Sequence, residues 1–238
     1  MPYEVNRLAA EDYGHSLPSC GWSSGFGCKP ILPMLFSPID HATGGFAMIK
    51  PWTLLSSRFP VADRWLRLRA GTYETPSGQI VEPFYVQENP EWICVLPITA
   101  DGEVVCVREY RHGADKVLTG LIGGVVDDTD PSPKTAAMRE LEEETGYRTK
   151  DMVALGAAYA NCRNQTNKVH YYLARGVVPD GKRSLDEHED IKIKLLPLET
   201  VSAPGFLQQS YHLLCLHLAK PHLQVHERRQ RNDTLNPK

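Results

Sequence analysis

The sequence predicts an α/β domain that opens on an antiparallel β-hairpin. Two observations carry this reading. Apolar and polar residues alternate on both sides of two turn signals, "TPSGQ" and "ADGE", the period-2 pattern of half-buried strands. Farther along, the chain changes to helical spacing between Ser132 and Gly146, returns to strand-like alternation, and ends its apolar patterning on a stretch that reads as a last helix.

Residues 1–50 stand apart. "SCGWSSGFGCKPILPMLFSPIDHATGG" is rich in Gly, Pro and Ser and keeps neither period for long, so it reads as an irregular extension. Met48 opens the better-organised sequence and is a candidate start. Residues 51–215 read as one domain. Within it, "RWLRLRAGTYETPSGQIVEPFYVQE" gives the first hairpin, residues 64–88, and "EWICVLPITADGEVVCVREYR" repeats the arrangement. A Gly-rich loop, "TGLIGGVVDD" (119–128), leads into the helix. Two strand-like runs follow, Met152–Tyr159 and Lys168–Ala174, then the charged loop "SLDEHED" and a further strand, "IKIKLLPL". Phe206–Ala219 is apolar and reads as the last helix, with residues 216–238 a loosely held polar tail.

Composition narrows the classes of function. Of 238 residues, 42% are hydrophobic and 23% charged, ordinary for a soluble globular protein. The net charge of -3 gives no overall field favouring nucleic acid or an anionic membrane, and no basic stripe is interleaved with aromatics. No apolar run approaches the roughly 20 residues of a transmembrane helix, and the N-terminus lacks the basic start and apolar core of a secretory signal. Six cysteines, at 20, 28, 94, 106, 162 and 215, form no CxxC pair or zinc-like pattern, which fits a reduced, cytoplasmic protein.

The helix carries the chemistry. Ser132 followed by Pro133 is a hydroxyl cap with proline at the first helical position, and Gly146 is a stop. Between them, 3.6 residues per turn place Glu140, Glu143 and Glu144 on one face beside Ala136 and Ala137. Met138, Leu141 and Thr145 form an adjoining stripe able to pack on a sheet, and Glu142 points away to water. Clustered carboxylates near a helix C-terminus oppose one another and the macrodipole. A hard divalent cation bound by carboxylate oxygens relieves that conflict; a solvated acidic face is the competing reading.

"GGVVDDTDPSPKTAAMRELEEETGY", Gly123 to Tyr147, resembles the signature of the Nudix hydrolases, G-x5-E-x7-R-E-U-x-E-E-x-G-U with U bulky and apolar. Arg139 to Tyr147 match its second half position for position, with Tyr147 in the final apolar place. "RWLRLRAGTYETPSGQIVEPFYVQE", "REYRHG", "NQTNKVHYYLARG" and "EHEDIKIKLLPL" look like the ADP-ribose pyrophosphatase-like branch, so the resemblance covers about residues 55–215. Three positions depart from the pattern. Asp130 stands for the first signature glutamate, eight residues rather than seven before Arg139; Ile122 replaces a proline or alanine before the glycines; Cys162 stands where ADP-ribose hydrolases often have proline.

The resemblance implies an αβα sandwich with a mixed sheet, preceded by the hairpin. It implies metal-dependent hydrolysis of the pyrophosphate bond of ADP-ribose or a related nucleoside diphosphate sugar, with Mg2+ or Mn2+ as cofactor. Glu140 and Glu144 would be direct metal ligands, Glu143 a further ligand or water-mediated contact counted with the catalytic carboxylates, and the Gly123 carbonyl would complete the shell. Arg139 and Gly146 would be structural, Arg139 by pairing with Glu143. From the loop after the box, Glu187 would be the general base and Glu189 an additional metal ligand, although a charge run of this kind also reads as a solvated loop. Arg111 could hold a phosphate or form a surface ion pair, and Trp92 could stack on a base or simply pack. In this branch the first hairpin often crosses to a partner subunit, which implies a homodimer and lets Arg64 reach the partner's site. Another Nudix substrate, such as a different NDP-sugar or a dinucleoside polyphosphate, and a non-catalytic nucleotide sensor are the alternatives.

Overall fold

The structure, a computed structural model, describes residues 48–185 and 190–235, with 224–235 described by backbone alone. The predicted hairpin is present as β2 (Arg67–Glu74) and β3 (Ile80–Gln87), paired antiparallel around a Thr75–Gln79 turn. Gly78 supplies the positive φ of 79° that this turn requires. The hairpin extends to a three-stranded sheet, because β1 (Thr53–Ala62) pairs antiparallel with β2. Alternation did not reveal β1 because it is exposed almost along its whole length and has no buried face to impose a period.

The second sheet contains β4 (Trp92–Ile98), β5 (Glu103–Arg111), β6 (Lys116–Gly120), β7 (Ile122–Val125), β8 (Asp151–Tyr159), β9 (Lys168–Arg175) and β10 (Lys192–Pro197). Its order is β10-β5-β4-β9-β8, and the parallel β4–β9 pair makes it mixed. β4 and β5 are joined by a hairpin turn but are in register only at Ile98 and Val104, after which they diverge. β6 then pairs with β5 and β7 with β4, so the sheet splits between them. The segment read as a Gly-rich loop is therefore mostly strand: ladder bonds to β4 override the poor strand propensity of Gly123 and Gly124.

Helices cover both faces. α1 (Pro133–Thr145) packs Ala136, Ala137 and Leu141 onto Ile93, Val95, Val107, Ile122 and Tyr172. On the other face, α3 (Ser210–Leu235) brings Cys215, Leu216 and Ala219 to Cys94, Leu96, Cys106, Leu121 and Leu173. Alternate residues of β4 thus enter opposite cores, giving the expected αβα sandwich. A four-residue helix, α2 (Leu198–Val201), bridges β10 to the segment before α3.

Two local readings change. Met138 is exposed rather than in the buried stripe, because the sheet meets α1 on its alanine side. α3 begins at Ser210 and runs through Pro221 to Leu235, so helix occupies much of the segment read as a polar tail; polarity removes an apolar stripe but leaves backbone bonding intact. Among the described residues, no helix is long and apolar enough to cross a membrane.

Candidate active site

Local chemistry fixes α1. The Ser132 hydroxyl accepts the Thr135 N–H at 3.2 Å, Pro133 opens the helix, and Gly146 closes it at φ 71° with its N–H on the Glu142 carbonyl. Arg139 then ties this helix to the preceding loop. Its Nη2 donates to Asp130 Oδ2 at 2.9 Å and to the Val125 carbonyl at 3.0 Å, while Nε reaches Asp130 Oδ1 at 3.3 Å. Asp130, the departure in the signature, thereby makes a two-pronged contact despite the longer spacing. Hydrogen bonds from Arg139 hold the Asp130 carboxyl below the usual carboxylate range.

The other prong of the same guanidinium gathers the glutamates. Arg139 Nη1 lies 3.0 Å from Glu140 Oε1 and 2.9 Å from Glu143 Oε2. Glu140 is packed against β7: a Cβ built on Gly124 would lie 2.2 Å from the Glu140 carboxyl carbon. Gly123, the residue named from the signature, faces the other side, where its nearest side-chain neighbour is Tyr211. Glu144 is only 5% exposed, and its charge helps to raise the Cys94 thiol, after burial and the neighbouring Cys215. Glu142 does not simply enter water, for it pairs with Arg148 at 2.5 Å and accepts the Lys182 N–H.

The chain entering the acidic loop is fastened to the end of α1. The Ser184 N–H donates to the Glu143 carbonyl at 2.9 Å, and Arg183 Nε donates to the Glu144 carbonyl at 2.7 Å. Glu187 and Glu189 lie outside the described residues, but Asp190, which follows them, lines a cavity of about 920 Å3. Arg108, Arg111, His112, Lys192 and Lys194 also line it, with Gln208 and Gln209 from the segment leading into α3. These residues exceed its acids, Glu109 and Asp190, in charge, so the cavity suits an anion. Its volume falls in the range of ordinary small-molecule sites.

Arg111 is held at the cavity wall by Glu109, Nη2 to Oε1 at 2.5 Å. The α1 glutamates are not in this wall. Tyr211 connects the two regions: burial pushes its hydroxyl up to about 12, the Arg111 charge opposes that, and the Glu109 and Glu144 charges add to it. Tyr211, partly buried at the start of α3, thus feels charge from both the β5 arginine and Glu144 of α1. Trp92 packs against Tyr211, centroids 6.1 Å apart. Arg64 stacks over Trp65 at 4.1 Å and lies outside the residues lining the cavity. Cys162 is exposed in the loop between β8 and β9.

The NUDIX domain family matches residues 89–216. The chain belongs to the Nudix family. Within that family it is 31% identical over 127 residues to the ADP-ribose pyrophosphatase of Bacillus subtilis, covering 53% of this chain and 68% of that protein. It is 29% identical over 137 residues to the methanol dehydrogenase activator of Bacillus methanolicus, covering 57% and 73%. The crystal structure of an ADP compounds hydrolase superposes with a TM-score of 0.67 at 20% identity, covering 75% of this chain and 97% of that one, and shows the shared fold.

Nudix hydrolases generally depend on a divalent metal. The donors on α1 suit one: they are hard carboxylate oxygens, and the missing Gly124 side chain leaves the cradle that Glu140 occupies. Among the described residues, no three acidic, His or Cys side chains already stand at ligand separation. Sequence reasoning missed Gly124, Lys192, Lys194, Gln208, Gln209 and Tyr211, none of which falls in the signature positions; the Gly-Gly pair alone gave a signal.

Proposed function

We propose that this Nudix protein hydrolyses the pyrophosphate bond of ADP-ribose or a related nucleoside diphosphate sugar, giving a nucleoside monophosphate and a sugar phosphate. One observation carries the reading: Arg139 locks a helix of carboxylates to its preceding loop, in a chain that also holds a basic cavity of nucleotide size. Similarity to an ADP-ribose pyrophosphatase supports the substrate class.

In this reading Glu140 and Glu144 hold Mg2+ or Mn2+, with Glu143 beside them, the Gly123 carbonyl completing the shell and Glu189 adding a ligand. The cation supplies charge neutralisation for the diphosphate and a more acidic water. Arg111 orients the diphosphate through its planar fork. Glu187 takes a proton from the attacking water, whose oxygen bonds to one phosphorus as the bridging P–O bond breaks. The anchoring of Arg183 and Ser184 to α1, and the place of Asp190 in the cavity wall, support bringing that loop to the site. A homodimer through the first sheet fits the same reading, since Leu54, Leu55, Phe59, Ile80 and Tyr85 are exposed there, and Arg64 would then serve the partner's site. A reduced, cytoplasmic setting suits the free buried thiols of Cys94, Cys106 and Cys215.

The test is nucleoside monophosphate release from ADP-ribose, other NDP-sugars and diadenosine polyphosphates, with and without Mg2+, for wild type and Glu144→Gln. Metal-dependent turnover that collapses in the variant, with ADP-ribose preferred, is expected. A preference for a dinucleoside polyphosphate would move the substrate class. Nucleotide binding without turnover on any substrate would refute the hydrolase reading in favour of a sensor.

A further inference from the structure

His212 is buried, 3% exposed, on the first turn of α3. Its Nδ1 accepts the Leu121 N–H at 3.4 Å, so the ring proton resides on Nε2. Nε2 is buried and has no hydrogen-bond partner among the described residues. A buried donor of this kind carries a desolvation penalty unless something accepts from it.

The chain has made room for the ring. A Cβ on Gly120 would lie 2.5 Å from His212 Cε1, so β6 has to end on glycine for the imidazole to lie there. Beside the ring is a cavity of about 10 Å3 lined by His212, Gly120, Glu109, Arg111, Gln208 and Gln209. That space is about the size of one water, and although Leu118 forms part of its wall, Glu109, Arg111 and the two glutamines give it polar partners. Glu109, Arg111, Gln208 and Gln209 also line the large basic cavity, so the small one lies directly behind the anion-binding wall.

We propose that His212 is a positioning residue for phosphate recognition: its Nε2–H donates to one enclosed water held with Glu109, and this bridge fixes the Glu109–Arg111 pair so that the guanidinium faces the large cavity. The proposal rests on the reading that Arg111 holds the substrate's diphosphate. His212 touches no substrate atom and acts through Arg111.

Asparagine and glutamine separate the two ring nitrogens. Asn at 212 keeps an acceptor near Nδ1 for the Leu121 N–H and loses the Nε2 donor; Gln carries an amide N–H near the Nε2 position. Steady-state ADP-ribose hydrolysis with Mg2+ is measured for wild type, His212→Asn, His212→Gln, Arg111→Ala and the double variant Arg111→Ala/His212→Asn, each with a thermal melt. His212→Asn is expected to raise KM about tenfold with kcat nearly unchanged, the size of one hydrogen bond, and His212→Gln to restore KM. In the Arg111→Ala background the Asn substitution is expected to change KM no further.

An unchanged KM in His212→Asn, while Arg111→Ala raises it, overturns this proposal alone. So does a His212→Asn effect that persists undiminished without Arg111. Should His212→Asn fail to fold, Gly120→Ala replaces it, its Cβ displacing the His212 ring: a KM rise that vanishes in the Arg111→Ala background supports the bridge, and a wild-type KM overturns it. A wild-type KM in Arg111→Ala, or no turnover by the wild type, removes the substrate reading and this proposal with it.

Discussion

Replacing Gly124 by alanine separates the position of a metal-binding carboxylate from the stability of the fold. The added Cβ would meet the Glu140 carboxyl carbon and Oε1 at 2.2 Å. An ordinary non-bonded carbon contact is about 3.5 Å, so the carboxyl group has to retreat by about 1.3 Å. The obstacle is the end of a flexible side chain, and Gly124 has no positive φ, so the backbone stays unstrained. Moving Glu140 off its preferred rotamer costs about 1 kcal/mol, and alanine returns about 0.4–1 kcal/mol by restricting the unfolded chain. Stability should therefore hardly move. Activity should, because a misplacement of about 1 Å in a reacting constellation can cost on the order of 100-fold. Gly123→Ala is the internal control: its Cβ would meet the Ile93 carbonyl at 3.5 Å and Tyr211 at 3.8 Å, ordinary contacts. The assay is kcat on ADP-ribose at saturating Mg2+ together with a thermal melt. Gly124→Ala should lose about 100-fold with an unchanged melt, and Gly123→Ala should stay within about twofold of wild type. A fully active Gly124→Ala would refute the placement of Glu140 at the reacting centre, and a melt that collapses with the activity would refute the separation of function from fold.

Two further outcomes follow from the same geometry. Arg139→Ala should lose about 2–4 kcal/mol in urea unfolding, because it strands Asp130, Glu140 and Glu143 without their shared cation; Arg139→Lys should recover little, lacking the fork that grips Asp130, and a loss near zero would show that the α1 tie is dispensable. His212 is depressed to about 3 by burial first and the Arg111 charge second, so below the unfolded value of about 6.5 the unfolded state binds the extra proton. Its contribution is present above about pH 6.5 and is lost as the pH falls toward 3, at a slope of about 1.4 kcal/mol per pH unit; unfolding free energies between pH 4 and 8 should show that slope reduced in His212→Asn, and equal slopes would show that the ring titrates normally.

What the sequence showed was mainly what adjacent residues decide. The α1 boundaries were legible because Ser132, Pro133 and Gly146 act on the nearest backbone groups. β4 and β9 were legible as apolar strand-like runs because each strand feeds cores on both faces and is buried almost throughout. β1 was not, since an exposed strand writes no period, and β7 was taken for a loop because its Gly-Gly pair is a strand only by virtue of β4. At the site, the carboxylates were readable from helical spacing. Their organisation was not: Asp130 meets Arg139 only after the loop folds back, and His212 meets Leu121 across 91 positions. Periodicity also leaves open which side of a helix meets the sheet, which is why Met138 ends in solvent.

The split between β4 and β5 has a consequence for the order in which the molecule acquires its parts. The two strands are neighbours along the chain, yet beyond Ile98 and Val104 each finds its partners elsewhere, β4 in particular against β9, where Trp92 aligns with Val169. Closing such distant pairs carries the larger entropy debt in folding and so tends to come late. α1 can form early from its own caps, but the sheet face it packs on is complete only once β9 has brought Tyr172 to it. A newly made chain would therefore hold its capped acidic helix before the sheet face that covers its alanine side is complete.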